Sequence, residues 1–419
     1  MICRVPVFCL SPFFPLRRLF ATFAAREFGL KALLDNRLLV AEMGWLEDLL
    51  TDEWLSSTLG HETKIQSIKV LEAEGNSSSQ LVKVHRHVGP PLLVKVTRQL
   101  SDDVLAASVD KEAMFYRDAW GPLREAGAGL VQLHAVEIRP DMSLIVLEFV
   151  DEGWRTGSNC GLSRPQAESL VTLLAQVHAW GLRGNEGLPW LEDCRDGHLL
   201  KYGLPALLRS SVENVTKEKV EAATPSLNAE NVLEMLHLAA RPGMYEHALG
   251  LVMNSGPKTV VHMDARQGNA FFEESGLGVK LFDWQNVSSG AGAMDLAYTL
   301  SGSLTVTDRR AWQADLLTLY HETFCSLSGS ECYSARQLTA DYQCALVWPL
   351  VWAALTLADV EATVDYNAGK ALDADARAED FATREEARRV AREFVTVGAE
   401  RYLQAALDER SAQLVQGSM

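Results

Sequence analysis

Cysteine is scarce and scattered. The seven in the chain (Cys3, Cys9, Cys160, Cys194, Cys325, Cys332 and Cys344) form no C-x-x-C pair and show no metal-ligand spacing, which argues against a zinc site or a disulfide framework and for a reducing compartment. No apolar run reaches the length of about 18 residues that a bilayer span needs, so no membrane-crossing helix is expected. Positive charge is also short: 39 lysines and arginines against 55 aspartates and glutamates give a formal charge of −16. A nucleic acid or an anionic membrane calls for a basic face that displaces counterions, so neither is expected as a partner. A cationic substrate is compatible with this balance. Neither G-x-G-x-x-G nor a Walker A run is present.

What is present starts with bulk. At 419 residues, 47% of them hydrophobic, the chain is long enough for two lobes with a sizeable core. Its first 26 residues carry Arg4, Arg17, Arg18 and Arg26 and no acidic residue, with Phe, Leu, Ala, Ser and Thr between them. That composition reads either as an organellar transit peptide or as an ordinary extension, and residues 1–43 are set apart accordingly. The expected location is intracellular: cytoplasmic, or mitochondrial or plastid if the leader is a transit peptide.

From Gly44 to Leu59 apolar residues recur at helical spacing. Strand-like runs follow at 64–71, 80–87, 91–97, 133–139 and 143–150, and their alternation suggests an antiparallel sheet. Between the first two, Glu72 to Ser79 is a turn of short side chains in which the backbone at Ser77 and Ser78 could approach phosphates. Lys95 lies in the apolar strand LLVKV on the face opposite Val94 and Val96, and Glu112 opens a helical stretch with Phe115 and Tyr116. A lysine inside an apolar strand wants anionic partners, and a glutamate with a nucleotide phosphate would supply two. Glu148 to Glu152 reads as a hinge whose backbone could meet an adenine edge. Beyond it the pattern becomes helical: Ser163 as N-cap with Gln166, a helix stopped at Gly181, and helices at 308–327, 334–366 and 383–415. His178 reads as a packed or capping residue. The chain thus divides into a small lobe at 44–152 and a larger helical lobe at 153–419.

The chemistry concentrates between Val260 and Leu300. His262, Asp264 and Asn269 stand at the spacing H-x-D-x-x-x-x-N, and Asp283 follows after two short strand candidates, AFFE and VKLFD, separated by a Ser-Gly-Leu-Gly turn. A hairpin there would return Asn269 and Asp283 to one edge, where an amide oxygen and a carboxylate can share a cation. Phosphoryl transfer needs such a pair for Mg²⁺ and one further carboxylate, Asp264, for the attacking hydroxyl.

These residues resemble the aminoglycoside phosphotransferase and choline-kinase-like branch of the protein-kinase fold, including its CHK-kinase-like group, over roughly residues 64–366. The most specific parts are HMDARQGN, LFDWQ and GAGAMDLAY. The resemblance implies an α+β, protein-kinase-like two-lobe fold, with a small antiparallel-sheet N-lobe and a larger, mainly helical C-lobe. It implies ATP and Mg²⁺ as cofactors, Asp264 as the catalytic aspartate, Asn269 and Asp283 as metal ligands, and Lys95 with Glu112 as the ion pair on the α- and β-phosphates. Asp295 is implied as a buried brace of the catalytic loop, and Met263 replaces a glycine that is commoner there. Protein kinases match less well, because H-R-D, D-F-G and A-P-E are all missing and Asp283 and Asp295 are too close for an activation loop.

A small-molecule alcohol is therefore the expected acceptor, with a cationic, amino-alcohol or aminoglycoside-like molecule among the candidates. Asp341, Trp348, Trp352 and Asp359 share one helical face and could cage a cation, or could simply be core tryptophans with solvated acids. Two other readings are open. A nucleotide-binding pseudokinase scaffold would keep the fold without turnover, and a metallohydrolase on His262 and Asp264 would need further ligands.

Overall fold

The computed structural model describes residues 44–73, 79–98, 103–151, 153–184, 187–196, 203–329, 333–373 and 384–419. The transit-peptide reading and the turn at Ser77 and Ser78 fall outside the described residues. The periodic stretch after Gly44 forms two helices rather than one, Gly44–Leu49 and Asp52–Leu59. Thr51 divides them because its hydroxyl accepts the Trp54 amide at 3.1 Å, an N-cap that ends one helix and starts the next.

The expected small sheet is five-stranded and antiparallel. Its strands are β1 (Ile65–Ala73), β2 (Ser79–Arg86), β3 (Leu92–Arg98), β4 (Leu133–Ile138) and β5 (Met142–Glu148), in the order β1-β2-β3-β5-β4. In β3 the period of two sends Val94 and Val96 into a core shared with Leu46, Leu50 and Leu55. Lys95 consequently faces the opposite side, over which the helix Asp103–Asp118 lies.

The larger lobe is built on the helix Arg164–Gly184, packed against Val306–Ser328. Ser163 begins it, with its amide and hydroxyl both directed to the Gln166 carboxamide oxygen at 3.0 and 3.1 Å. Gly181 does not stop it, and the helix continues to Gly184. The glycine is there for proximity: a Cβ at Gly181 would lie 2.3 Å from Thr259 Oγ1 and 2.5 Å from Val260 N. The later helices are also more divided than their periodicity suggests. Residues 335–373 form three helices, with Pro349 at the start of the second and Asp359 at its end, and the last helical stretch breaks at Arg410, φ 52°.

Short strands organise the lobe junction. After β6 (Trp154–Thr156) come β7 (Lys258–Val261), β8 (Ala270–Glu273), β9 (Val279–Leu281) and β10 (Ser288–Ala291). β8 and β9 form the expected hairpin, with Ala270 opposite Leu281, while β6 joins β8 and β10 pairs with β7. β6 and β10 carry too little periodicity to be read from sequence. Among the described residues no helix is long and apolar enough to cross a membrane.

Candidate active site

The loop that follows β7 is held from beneath by one carboxylate. Asp295 is fully buried and accepts the backbone amides of His262 at 2.7 Å and Met263 at 2.8 Å, together with His178 Nε2 at 3.2 Å. Burial alone would push this carboxyl up, but the hydrogen bond and charge of His178, with those of His262, leave it below the usual aspartate range. Anchoring both amides forces a turn at Met263, whose φ is 67°. That left-handed conformation accounts for a glycine being commoner here. It costs an ordinary side chain about 1 kcal/mol, and burial of the methionine offsets this.

Within the loop every polar group of His262 is used. Its Nδ1 accepts the Asp264 amide at 3.2 Å, so Nε2 carries the proton and donates to the Phe282 carbonyl at 2.9 Å. Neither nitrogen is left for a metal, which removes the metallohydrolase reading. Among the described residues no group of three or more His, Cys, Asp and Glu side chains could hold a metal ion.

Asn269 donates from Nδ2 to the Asp264 carbonyl at 2.9 Å, and its own carbonyl accepts the Phe282 amide at 3.0 Å. The hairpin thereby brings Asn269 and Asp283 to the same edge. Asn269 Oδ1 is buried and has no hydrogen-bond partner among the described residues. An orphaned amide oxygen beside a carboxylate suits a hard cation, and Mg²⁺ needs only one or two such protein ligands beside phosphate and water. Asp283 also has a left-handed backbone, φ 65° and ψ 62°. Left-handed residues other than glycine occur at Met263, Asp283 and Arg410 among the described residues, and the first two flank this site.

Lys95 reaches the same place from the small lobe. Its ammonium lies 2.6 Å from Glu112 Oε2 and 3.4 Å from Asp283 Oδ1. Burial raises the Glu112 carboxyl, and the Lys95 charge opposes that rise. The helix that carries Glu112 is keyed to the Asp283 loop by a stack of Phe115 on Trp284, centroids 3.9 Å apart at 10°. Trp284 in turn leans on the His262 ring at 4.6 Å. The cation, its glutamate and the loop aspartate are thus joined by side-chain contacts.

Asp264 is fully buried beside Arg266, whose Nε lies 3.4 Å from Asp264 Oδ1. Arg266 lines a cavity, partly open to solvent, whose walls include Trp352, Phe394, Arg401 and Tyr402. Tyr402 is a buried part of that wall. Burial pushes its hydroxyl up to about 12, with Arg266 and Arg401 pulling down and Asp264 pushing up. Neither arginine was singled out from sequence. Arg266 had a signal, a cation two positions after Asp264 within HMDARQGN, but Arg401 lies on a distant helix with none.

The remaining sequence candidates fall elsewhere. Glu148 ends β5, where its amide donates to Gln132 O at 2.9 Å and its carboxylate takes the Gln132 amide and Lys280 Nζ, both at 2.7 Å. The Glu148 N–H is therefore engaged within the fold. The cation cage does not assemble either. Asp341 accepts Tyr333 OH and Gln337 Nε2, each at 2.8 Å, Asp359 accepts the Ala362 amide, and only Trp352 of the four lines the cavity.

A small antiparallel sheet whose lysine meets a helical glutamate, set over a helical lobe with a braced aspartate loop, is the two-lobe α+β arrangement expected from the sequence. The model of the family described as "Uncharacterized oxidoreductase dhs-27" (DUF1679) matches residues 139–390, and the chain belongs to that family. The named sheets of the described residues are antiparallel, and parallel pairing is confined to isolated bridges at Leu130 and Asp193. A nicotinamide crevice of the doubly wound kind needs a parallel sheet. A comparison with curated proteins finds no match.

Among solved structures the chain is similar to choline kinase from Streptococcus pneumoniae, at 16% identity over 81% of this chain and 100% of the other, TM-score 0.42. It is similar also to an aminoglycoside phosphotransferase from Alicyclobacillus acidocaldarius, at 16% over 84% and 93%, TM-score 0.42. A third is Plasmodium vivax ethanolamine kinase, at 11% over 86% and 92%, TM-score 0.41.

Proposed function

We propose that the chain is an ATP- and Mg²⁺-dependent phosphotransferase that moves the γ-phosphoryl group to a hydroxyl of a small molecule. The observation that carries this reading is the convergence of Lys95, Glu112 and Asp283 within ion-pair distance, next to the orphaned Asn269 Oδ1. Lys95, steadied by Glu112, is the group to hold nucleotide phosphates, and Asn269 Oδ1 with the Asp283 carboxylate is the pair to hold the metal. Bound nucleotide and Mg²⁺ would supply the transferable group and neutralise its charge. Asp264 is the group to orient the acceptor hydroxyl and take its proton, while Arg266 restrains that carboxylate at 3.4 Å. An intact set of five such groups gives the pseudokinase reading no support of its own.

Calorimetric titration of the chain with a non-hydrolysable ATP analogue tests the nucleotide half. Binding should require Mg²⁺ and weaken at least tenfold in Asp283→Ala, about 1.4 kcal/mol. Binding that is indifferent to both Mg²⁺ and the substitution would refute the metal assignment.

A further inference from the structure

The cavity beside Arg266 has the opposite electrostatic character from the one that a cationic alcohol needs. In a chain of formal charge −16, its described lining carries two arginines, Arg266 and Arg401, and no acidic residue. Arg266 is balanced by Asp264 at 3.4 Å. Arg401 is not balanced in this way: it is 6% exposed and donates to two backbone carbonyls, Asn159 O at 2.7 Å and Gly302 O at 3.2 Å. Carbonyls satisfy donors but cancel no charge, and among the described residues no carboxylate forms an ion pair with it. Burial lowers the Arg401 guanidinium from its usual value, the direction expected of a cation held away from water, and the charges of Glu400 and Asp308, neither in ion-pair contact with it, offset this only in part.

Such a charge is costly to bury unless something of opposite sign arrives, and guanidinium matches carboxylate and phosphate geometry. The rest of the wall is mixed: Trp352, Leu355, Phe394 and Val395 give it an apolar side, and Asn159, Gln267, Thr356, Thr363 and Asn367 add neutral polar residues. We propose that the acceptor is a hydroxylated molecule with an apolar body and an acidic group, the acidic group seated at Arg401 and the hydroxyl turned toward Asp264. This rests on the phosphotransferase reading for the hydroxyl, but the anion seat at Arg401 stands apart from it.

The test uses the full chain saturated with Mg²⁺ and a non-hydrolysable ATP analogue, and separately without nucleotide. Three alcohols of matched length are titrated by calorimetry: an ω-hydroxyhexanoate, its primary amide, and the trimethylammonium alcohol. The carboxylate should bind at least tenfold more tightly than the other two. Arg401→Met should erase that preference, a loss of about ten- to a hundredfold for the carboxylate with the amide unmoved, as expected for a charged hydrogen bond. Arg401→Lys, which keeps the charge, should retain part of it and guards against a folding failure in Arg401→Met.

Equal or weaker binding of the carboxylate, absence of any binding, or a preference that survives Arg401→Met would overturn the proposal. Failure of the nucleotide analogue to bind, with the carboxylate preference intact, would instead refute the phosphotransferase reading and leave the anion seat standing.

Discussion

Asp295 is where one residue affects the most chemistry without touching it. Two backbone amides and a histidine converge on it, and the loop that carries Asp264 takes its shape from that anchor. In Asp295→Ala the buried His262 and Met263 amides lose their acceptor, which should cost about 3 kcal/mol in a urea titration at neutral pH. The pH dependence follows from the depressed carboxyl. Because its folded value lies below the unfolded one, its stabilisation is complete above the ordinary aspartate range. It is lost as pH falls from about 4 through the folded value. Wild-type stability should therefore fall more steeply below about pH 4 than that of Asp295→Ala, and parallel slopes would show that the brace contributes no such term.

At the level of elements, the helix Arg164–Gly184 and β7 approach so closely that a side chain cannot fit between them. Gly181→Ala would place a methyl 2.3 Å from Thr259 Oγ1 and 2.5 Å from Val260 N, at the base of the strand that launches the Asp264 loop. Overpacking of this kind costs about 1–3 kcal/mol, to be read from the urea midpoint, and should also weaken the nucleotide analogue. An unchanged midpoint would mean that the contact is looser than described.

That close approach is also where sequence reasoning fell short. A glycine near a helix end reads as a stop, because its tertiary reason lies on a strand far along the chain. The helix boundaries near Thr51, Pro349 and Asp359 were missed for a related reason: periodicity runs through a cap, while the cap itself is local chemistry. By contrast, the five strands of the small lobe and the β8–β9 hairpin were legible, since a period of two and a Ser-Gly-Leu-Gly turn are written directly in the residues. Order and residue type single out Lys95, Glu112, Asp264, Asn269 and Asp283, and of these the structure brings Lys95 to Glu112 and Asp283 and sets Asn269 and Asp283 at the two ends of the β8–β9 hairpin. Arg401 was not, because no local pattern marks a residue that becomes important only by facing a cavity.

Over the whole molecule, the small lobe brings one lysine and one glutamate to a junction where the large lobe offers two carboxylates and an amide. The lobes are also tied away from the site, by Lys111 to Glu192 at 2.8 Å, Lys280 to Glu148 at 2.7 Å and Trp190 Nε1 to Asp118 at 2.7 Å. Lys111 and Asp118 lie on the helix that carries Glu112, so the ties hold that helix near the position the Lys95 pair requires. This junction is the proposed site of turnover.

The measurement that tests this most directly compares Asp264→Asn with the wild-type chain. It pairs γ-phosphoryl transfer from labelled ATP to a panel of hydroxylated acids, amides and ammonium alcohols with binding of the non-hydrolysable analogue. The account predicts that nucleotide binding is kept within a few-fold while transfer falls by about a hundred- to ten-thousandfold, the range for loss of a positioned general base. Transfer by Asp264→Asn at the wild-type rate, or binding of nucleotide by both chains with no acceptor in the panel phosphorylated, would contradict it.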